Sequence, residues 1–162
     1  MLIEANAKIN LALNVVERRV DLYHNLDMVN IPLKLHDTID ISILPFKGDD
    51  SFITCDDSSL STNDYNLACI ALKKMRERFK FTQQFRIHIH KVIPASAGLG
   101  GGSSNAAAVM NAVVKLLNIK TTTEELFKIA LEIGADVPYF LINKPARVNG
   151  IGEFITPINI KK

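Results

Sequence analysis

Several features that define common protein classes are missing from this chain of 162 residues. It has no tryptophan and only two cysteines, Cys55 and Cys69, neither of which has a CxxC neighbour, so we expect neither a disulfide scaffold nor a zinc site. No apolar run approaches the ~18 residues that a membrane span requires, and the N-terminus has no basic region of the kind that opens a signal peptide. We therefore predict a cytoplasmic protein without a membrane partner.

An excess of charge of one sign is also missing. The chain has 19 Lys and Arg against 17 Asp and Glu, a net charge of +2, and no concentrated basic stripe. Sequence-independent binding to a nucleic acid would need such a stripe, so a nucleic-acid partner is not expected. The chain is 48% hydrophobic and 22% charged, which is ordinary for a protein that closes one hydrophobic core.

The hydrophobic pattern predicts a mixture of strands and helices. Period-two alternation predicts strands at Lys8–Val15 and at 28–35, 38–44, 51–55 and 85–90, with the first third of the chain folded as an antiparallel meander. Helical periodicity and capping residues predict four helices, which begin near Asn66, at Ser104-Asn105, at Thr122 and at Asp136. We expect an α+β fold in which a mainly antiparallel sheet packs against helices.

The strongest chemical signal is a glycine-rich segment between a predicted strand and a predicted helix. Residues 94–108 contain four glycines within five positions, Gly98, Gly100, Gly101 and Gly102. Such a loop can turn several backbone N–H groups toward one point in front of a helix N-terminus, which favours a phosphate ligand. Tight packing of helix on sheet is the alternative use of these glycines. The loop has neither the Gly-Lys-Ser/Thr ending of a Walker A motif nor the spacing of a dinucleotide-binding loop.

Five segments together resemble the GHMP kinase superfamily, and within it the kinases that act on 4-diphosphocytidyl-2-C-methyl-D-erythritol. They are Ala7-Lys8-Ile9-Asn10-Leu11, Asp21-Leu22-Tyr23-His24, Pro94 to Ala107, Gly134-Ala135-Asp136-Val137-Pro138 and Gly150 to Pro157. The second segment, which other GHMP kinases do not share, has Leu22 where the family usually has glycine. Ala95-Ser96-Ala97 also stands where glycine and methionine are frequent.

The resemblance implies a GHMP-kinase N-terminal ATP- and substrate-binding domain over residues 1–162, with the ribosomal protein S5 domain 2-like fold. It implies ATP-dependent phosphorylation of the 2-hydroxyl of the cytidine diphosphate-bearing substrate, in the non-mevalonate route to isoprenoids, with ATP and Mg²⁺ as cofactors. It also implies a C-terminal GHMP domain of the same polypeptide beyond these residues, so the activity of the 162 residues alone stays an open question. Another GHMP kinase, such as homoserine or mevalonate kinase, and a non-catalytic nucleotide-binding module are the alternatives.

The resemblance also implies two catalytic residues, Lys8 and Asp136. Asp136 would be the base that accepts the substrate hydroxyl proton, and it would also contact the substrate. On its own pattern, Asp136 could instead only cap the helix that contains Pro138. Lys8 would pair with Asp136 and stabilise the transition state, whereas a lysine on the polar face of a strand is more often solvated.

Nucleotide contacts are expected from the loop and its surroundings. Ser103 and Ser104 could bind phosphate or Mg²⁺, or could cap the helix, and Asn66 and Asn105 match positions near the ATP in the family but could equally be helix-start residues. The residues expected to bind the cofactor are Asn66, Pro94, Gly98, Leu99, Gly100, Gly101, Gly102, Ser103, Ser104 and Asn105.

Substrate contacts are implied by the resemblance at Asn10, Tyr23, His24 and Lys91. Tyr23, His24 and Lys91 are assigned to the cytidine end, His24 through hydrogen bonds to the base edge and Tyr23 through stacking. A half-buried tyrosine and a surface histidine are the alternatives. His88 and His90 share one face of a predicted strand, but no third ligand keeps a metal-binding spacing with them, so no metal site is expected.

Overall fold

The computed structural model describes residues 1–18, 24–48, 51–62 and 65–160, which form one six-stranded sheet and four helices. The strands are β1 (Leu2–Arg18), β2 (His24–Lys47), β3 (Phe52–Cys55), β4 (Gln83–His90), β5 (Ala146–Gly150) and β6 (Phe154–Pro157). The helices are α1 (Leu67–Phe79), α2 (Gly101–Leu116), α3 (Thr123–Ile133) and α4 (Val137–Ile142). The predicted α+β class with a mostly antiparallel sheet is confirmed.

The sheet is organised around β2. β1 pairs antiparallel with residues 24–40 of β2, from Leu2 opposite Asp40 to Arg18 opposite His24. On the other edge, β5 pairs with residues 26–30 and β4 with residues 38–43. The sequence pattern predicts two strands in this region, 28–35 and 38–44. The division is wrong because pairing with β1 runs over residues 24–40 and pairing with β4 continues from residue 38 to Lys47, which holds residues 24–47 in one strand.

The predicted antiparallel meander was wrong for β3. This strand pairs parallel with β4, with Phe52 opposite Arg86 and Cys55 opposite Ile89, and β4 lies between β3 and β2. The reason is the intervening helix α1. A strand, a crossover helix and a second strand in one sheet return in the same direction, whereas a meander requires tight turns.

The apolar residues of β1 do not lie where the alternation predicted. Ile9, Leu11, Leu13 and Val15 are 37%, 64%, 51% and 59% exposed, because only the first part of β1 is covered. There Ala5 and Ala7 are buried, and α2 packs against the strand. An apolar stripe on β1 therefore remains at the surface of the described residues.

The core lies between one face of the sheet and the helices. Ile39 and Ile41 of β2 and Phe85, Ile87 and Ile89 of β4 point into it, and each is at most 1% exposed. α2 is the central helix, with nine buried residues, and it packs against α1, α4 and β1. The predicted burial of this helix is confirmed.

Local capping signals were correct for two helices and wrong for a third. The side chain of Asn66 accepts a hydrogen bond from the Ala68 N–H at the start of α1, and that of Thr122 accepts one from the Glu125 N–H at the start of α3. The predicted cap at Ser104-Asn105 is wrong, because α2 begins at Gly101 with Gly100 as its N-cap. Within the described ranges, no helix is long and apolar enough to cross a membrane.

Candidate active site

Lys8 is a buried lysine of β1 that lies against the glycine-rich loop. A register shift between Asn6 and Lys8 interrupts the ladder with β2, and the Lys8 residue is only 5% exposed. Its backbone N–H donates to the carbonyl of Leu99 at 2.9 Å. β-bulges re-aim side chains and are frequent beside active sites. This bulge brings Lys8 to the loop, so the lysine is not the solvated residue that its strand position favoured.

The glycine-rich loop forms the turn between β4 and α2. Gly98 and Gly100 have φ values of +72° and +71°, a conformation that is unfavourable for residues with a side chain. A Cβ atom on Gly100 would lie 2.7 Å from the ring of Phe140 and 3.3 Å from Cγ of Lys8. The absence of a side chain at Gly100 therefore allows the loop, α4 and Lys8 to approach one another. Tight packing, the alternative use of the loop glycines, applies at this position.

Asp136 stands at the N-cap position of α4 but does not act as a cap. Its side chain makes no capping hydrogen bond, and its backbone is already helical. The carboxylate Oδ2 instead lies 3.5 Å from Nζ of Lys8, with the Asp136 side chain 37% exposed and the Lys8 side chain 6% exposed. The structure thus brings together the two residues proposed as catalytic, although 128 positions separate them in the sequence. A carboxylate that is partly open to solvent beside a buried ammonium group can accept a proton from a ligand.

One asparagine binds the ammonium group of Lys8, and a second asparagine supports the first. Nζ of Lys8 donates to Oδ1 of Asn10 at 2.8 Å, and Nδ2 of Asn10 donates to Oδ1 of Asn30 at 2.7 Å. Asn30 is fully buried, and its own Nδ2 has no hydrogen-bond partner among the described residues. The sequence analysis missed Asn30. Its signal, an asparagine within an otherwise apolar stretch of strand, becomes meaningful only once β1 is seen beside it.

The C-terminal hairpin supports the segment that carries Asp136. Gly152, between β5 and β6, has a φ of +120°, and a Cβ atom there would lie 2.3 Å from the carbonyl oxygen of Ala135. Only glycine fits at this distance. The N–H of Ile151 donates to the Glu153 carboxylate at 2.6 Å, which stabilises the turn. The Gly150–Pro157 motif therefore packs directly behind the residue before Asp136.

A cleft of about 440 Å³ opens above the loop. Its walls include the loop backbone, Asn66, Ser103, Asn105 and Asp136. Asn105 is 4% exposed, and its Oδ1 has no partner among the residues that the structure describes. The N-terminus of the 16-residue helix α2 contributes partial positive charge at the same place. Ser104, by contrast, is a buried residue in the first turn of α2, and its N–H donates to the carbonyl of Gly100 at 2.9 Å.

Tyr139 of α4 is a buried phenol close to Asp136. It is 1% exposed, and burial together with the negative charge of Asp136 raises the pKa of its hydroxyl far above the usual value. Its hydroxyl has no partner within the described part of the chain. The Tyr139 hydroxyl therefore stays neutral at physiological pH and adds no negative charge beside the Lys8–Asp136 pair.

Lys91 and His24, two of the residues assigned to the cytidine end, lie far apart in the fold. Lys91 lines the cleft beside the loop, where its ammonium group lies 3.0 Å from the fully buried Asp37 and also donates to the Ile93 carbonyl. His24 is exposed at the first position of β2, thirteen residues along the strand from Asp37. Tyr23 lies outside the described residues. Lys91 therefore belongs to the glycine-loop cleft by position, and not to the neighbourhood of His24.

Comparison with known proteins relates this site to one family. The family model for the GHMP kinases N terminal domain matches residues 66–144, which include the loop and Asp136. A 4-diphosphocytidyl-2-C-methyl-D-erythritol kinase from Clostridium perfringens is 43% identical over 160 residues, or 98% of this chain. The chain has the fold of a GHMP kinase N-terminal domain.

Solved structures of GHMP kinases agree with this assignment. A crystal structure of 4-(cytidine 5'-diphospho)-2C-methyl-D-erythritol kinase superposes on 99% of this chain with a TM-score of 0.83 and 34% identity. The mevalonate kinase of Methanococcus jannaschii has a TM-score of 0.71 at 17% identity, which shows a shared fold alone. The chain spans about half the length of its relatives, 54% of the Clostridium perfringens protein and 56% of the first of these structures.

Proposed function

We propose that this chain is the N-terminal part of an ATP-dependent kinase that phosphorylates the 2-hydroxyl of 4-diphosphocytidyl-2-C-methyl-D-erythritol, a step of the non-mevalonate route to isoprenoids. The observation that carries the proposal is the Lys8–Asp136 pair, 3.5 Å apart and tied to the glycine-rich loop. The proposal for the substrate is supported by the 43% identity to a relative of that name.

The residues of the cleft fit a nucleoside triphosphate. The loop backbone and the N-terminus of α2 would receive the phosphates, since both favour negative charge. Oδ1 of Asn105 is a buried acceptor without a described partner, which an amino or hydroxyl group of the nucleotide would satisfy. Nζ of Lys91 lies 3.3 Å from the position that a Cβ atom on Gly101 would occupy. The lysine can therefore add positive charge beside the phosphates.

Mg²⁺ prefers oxygen ligands and commonly binds to protein through one or two groups together with phosphate oxygens. The cleft offers the Ser103 hydroxyl as such a ligand, which leaves the Asp136 carboxylate available as the base. When bound, the ion would neutralise charge that develops on the transferred phosphoryl group.

Asp136 and Lys8 would divide the chemistry. The substrate oxygen attacks the γ-phosphorus, its proton moves to the Asp136 carboxylate, and the bond from the γ-phosphorus to the bridging oxygen breaks so that ADP leaves. Lys8, held by Asn10 at 2.8 Å, keeps a positive charge beside the carboxylate and the reacting phosphoryl group. Because the lysine is buried and already oriented, it stabilises the transition state without reorganisation.

The position of Asn10 supports a role for it at the reacting end of the substrate. It contacts Lys8, whereas His24 lies at the far end of the β1–β2 pair, opposite Arg18. In this proposal His24, together with Tyr23, reads the cytosine. Lys91 contributes to the nucleotide site instead.

A second domain of the same polypeptide would complete the site. On β1, Leu11, Leu13, Val15 and Val16 are each more than half exposed, and the chain spans only 54% of a relative's length. Catalysis of phosphoryl transfer depends on positioning and on excluding water, which one wall of a cleft does not achieve. The chain alone should therefore bind nucleotide but transfer phosphate poorly, and its exposed stripe should favour self-association.

The proposal is tested by comparing this chain with a polypeptide that continues through a second GHMP domain, with Asp136→Asn as the inactive control. We expect the longer form to phosphorylate the cytidine diphosphate substrate, and CMP to compete with it. Preferential turnover of mevalonate or homoserine without CMP competition would identify a different GHMP kinase. Nucleotide binding without transfer in both forms would identify a non-catalytic module.

A further inference from the structure

A cluster of three potential metal ligands lies on the face of the sheet opposite the helices. Nε2 of His88 is 2.8 Å from Oδ1 of Asp56, and Nδ1 of His90 is 3.2 Å from Oδ2 of the same carboxylate. The two imidazole rings are 4.4 Å apart between centroids. All three ligand atoms lie within 4.8 Å of one another.

The pairing of β3 with β4 explains how Asp56 reaches the histidines. His88 and His90 alternate with the buried Ile87 and Ile89, so both imidazoles are on the solvent face. Asp56 extends the parallel ladder by one residue, since its N–H donates to the carbonyl of Ile89 at 3.1 Å. Its carboxylate therefore reaches both rings, with one oxygen on each. The sequence analysis found no third ligand because Asp56 is 32 residues from His88.

The geometry resembles that of a zinc site. Ligand atoms at ~2.0–2.2 Å from a tetrahedral Zn²⁺ are separated from one another by roughly 3.3–3.5 Å. The two imidazole nitrogens lie 2.8 Å and 3.2 Å from different oxygens of Asp56, and one ligand atom from each of the three residues lies within 4.8 Å of the others, so small side-chain adjustments would admit an ion. Two imidazoles and one carboxylate leave a fourth position for water, as in zinc sites with three protein ligands.

An outer hydrogen bond orients one of the ligands. Nδ1 of His88 is 2.7 Å from the hydroxyl of Thr54, which stands opposite it in the β3–β4 ladder. This contact fixes the ring plane and leaves Nε2 directed at Asp56. Metal-ligating histidines commonly hold their second nitrogen in this way.

We propose that Asp56, His88 and His90 bind a divalent transition-metal ion of the zinc class. Imidazole ligands favour Zn²⁺, Co²⁺, Ni²⁺ or Cu²⁺ over Mg²⁺, so this site is chemically distinct from any magnesium site in the kinase cleft. The ion would link the end of β3 to β4. The neighbouring residues Cys55 and Ile89 line the cleft from the other face, so the ion would brace one wall of the nucleotide site.

The test uses the 162-residue chain without a histidine tag. Titration with Zn²⁺ should show one ion per chain by calorimetry, and Co²⁺ should give the intense visible absorption of a site with fewer than six ligands. The midpoint temperature of thermal unfolding should rise with added Zn²⁺, because the ion binds only the folded arrangement of the three ligands. A large excess of Mg²⁺ should leave the Co²⁺ spectrum unchanged.

Matched variants locate the site. His88→Gln/His90→Gln should weaken Zn²⁺ binding by at least about 100-fold, and Thr54→Val by roughly 10-fold, the lower end of the range for an outer partner. His36→Gln removes another histidine, whose Nδ1 contacts the Lys34 carbonyl, and should leave binding unchanged. Circular dichroism checks that each variant is folded. Unchanged Zn²⁺ binding in the double variant, or no binding by the parent chain, would overturn the proposal and leave Asp56 as a hydrogen-bond partner of the histidines.

Discussion

Substitution of Gly100 by alanine tests whether the close approach of the loop to α4 and Lys8 is real. Two separate costs are expected. The φ of +71° places alanine in the left-handed region, which costs about 1–2 kcal/mol, and the new Cβ atom would lie 2.7 Å and 2.8 Å from two atoms of the Phe140 ring. Overpacking of this kind costs roughly 1–3 kcal/mol, so Gly100→Ala should destabilise the domain by about 2–5 kcal/mol.

Gly98 provides a matched control in the same loop. Its φ of +72° is nearly identical, but no atom lies within 4 Å of the position that a Cβ atom would occupy. Gly98→Ala should therefore show only the backbone cost, about 1–2 kcal/mol. Urea unfolding of the 162-residue chain measures both values from the shift in midpoint at constant slope.

A second substitution separates the steric cost from the backbone cost. Phe140→Leu removes the ring that the alanine would contact. The double variant Gly100→Ala/Phe140→Leu should therefore lose less unfolding free energy than the two single variants lose in sum. Equal destabilisation by Gly98→Ala and Gly100→Ala, together with additivity of the pair, would refute the close approach. In that case the glycines would serve the backbone conformation alone.

Four further predictions concern catalysis and electrostatics. Asp136→Asn in the longer enzyme should keep the fold and lower kcat by at least ~100-fold, and near-normal turnover would remove Asp136 from the role of base. Lys8→Ala should lower kcat more than it raises KM, whereas a change in KM alone would make Lys8 a binding residue. His24→Ala should weaken binding of the cytidine substrate by roughly 0.5–1.5 kcal/mol and leave ATP binding unchanged. Equal losses of affinity for both ligands would contradict a role for His24 in recognising the base. Hydrogen bonds from Arg147 hold the pKa of Asp27 below its ordinary value of 3.8, so its stabilising contribution is present above that pH and is lost as the pH falls below it. The difference in urea midpoint between parent and Asp27→Asn should therefore shrink in acid, and a difference that grows would contradict the assignment.

The sequence by itself determined those features whose physical causes are local. The caps at Asn66 and Thr122 were predictable because a side chain and the N–H groups that it satisfies lie within three residues of each other. The glycine-rich turn ahead of α2 was predictable for a similar reason. Its glycines and the helix N-terminus are neighbours in the chain, and the proposal that the loop binds phosphate rests on this local arrangement.

Tertiary structure decided which residues meet. The ammonium group of Lys8 reaches Asp136 because a bulge in β1 turns it inward, and Asn30 joins them because β1 pairs with β2. Asp56 meets two histidines because β3 runs parallel to β4, a consequence of the crossover through α1. Register and strand order depend on packing between segments that are distant in the sequence, and a one-residue shift would reverse the face of every side chain in a strand. Residue types and local spacing carry no record of that choice, so it becomes visible only in the folded chain.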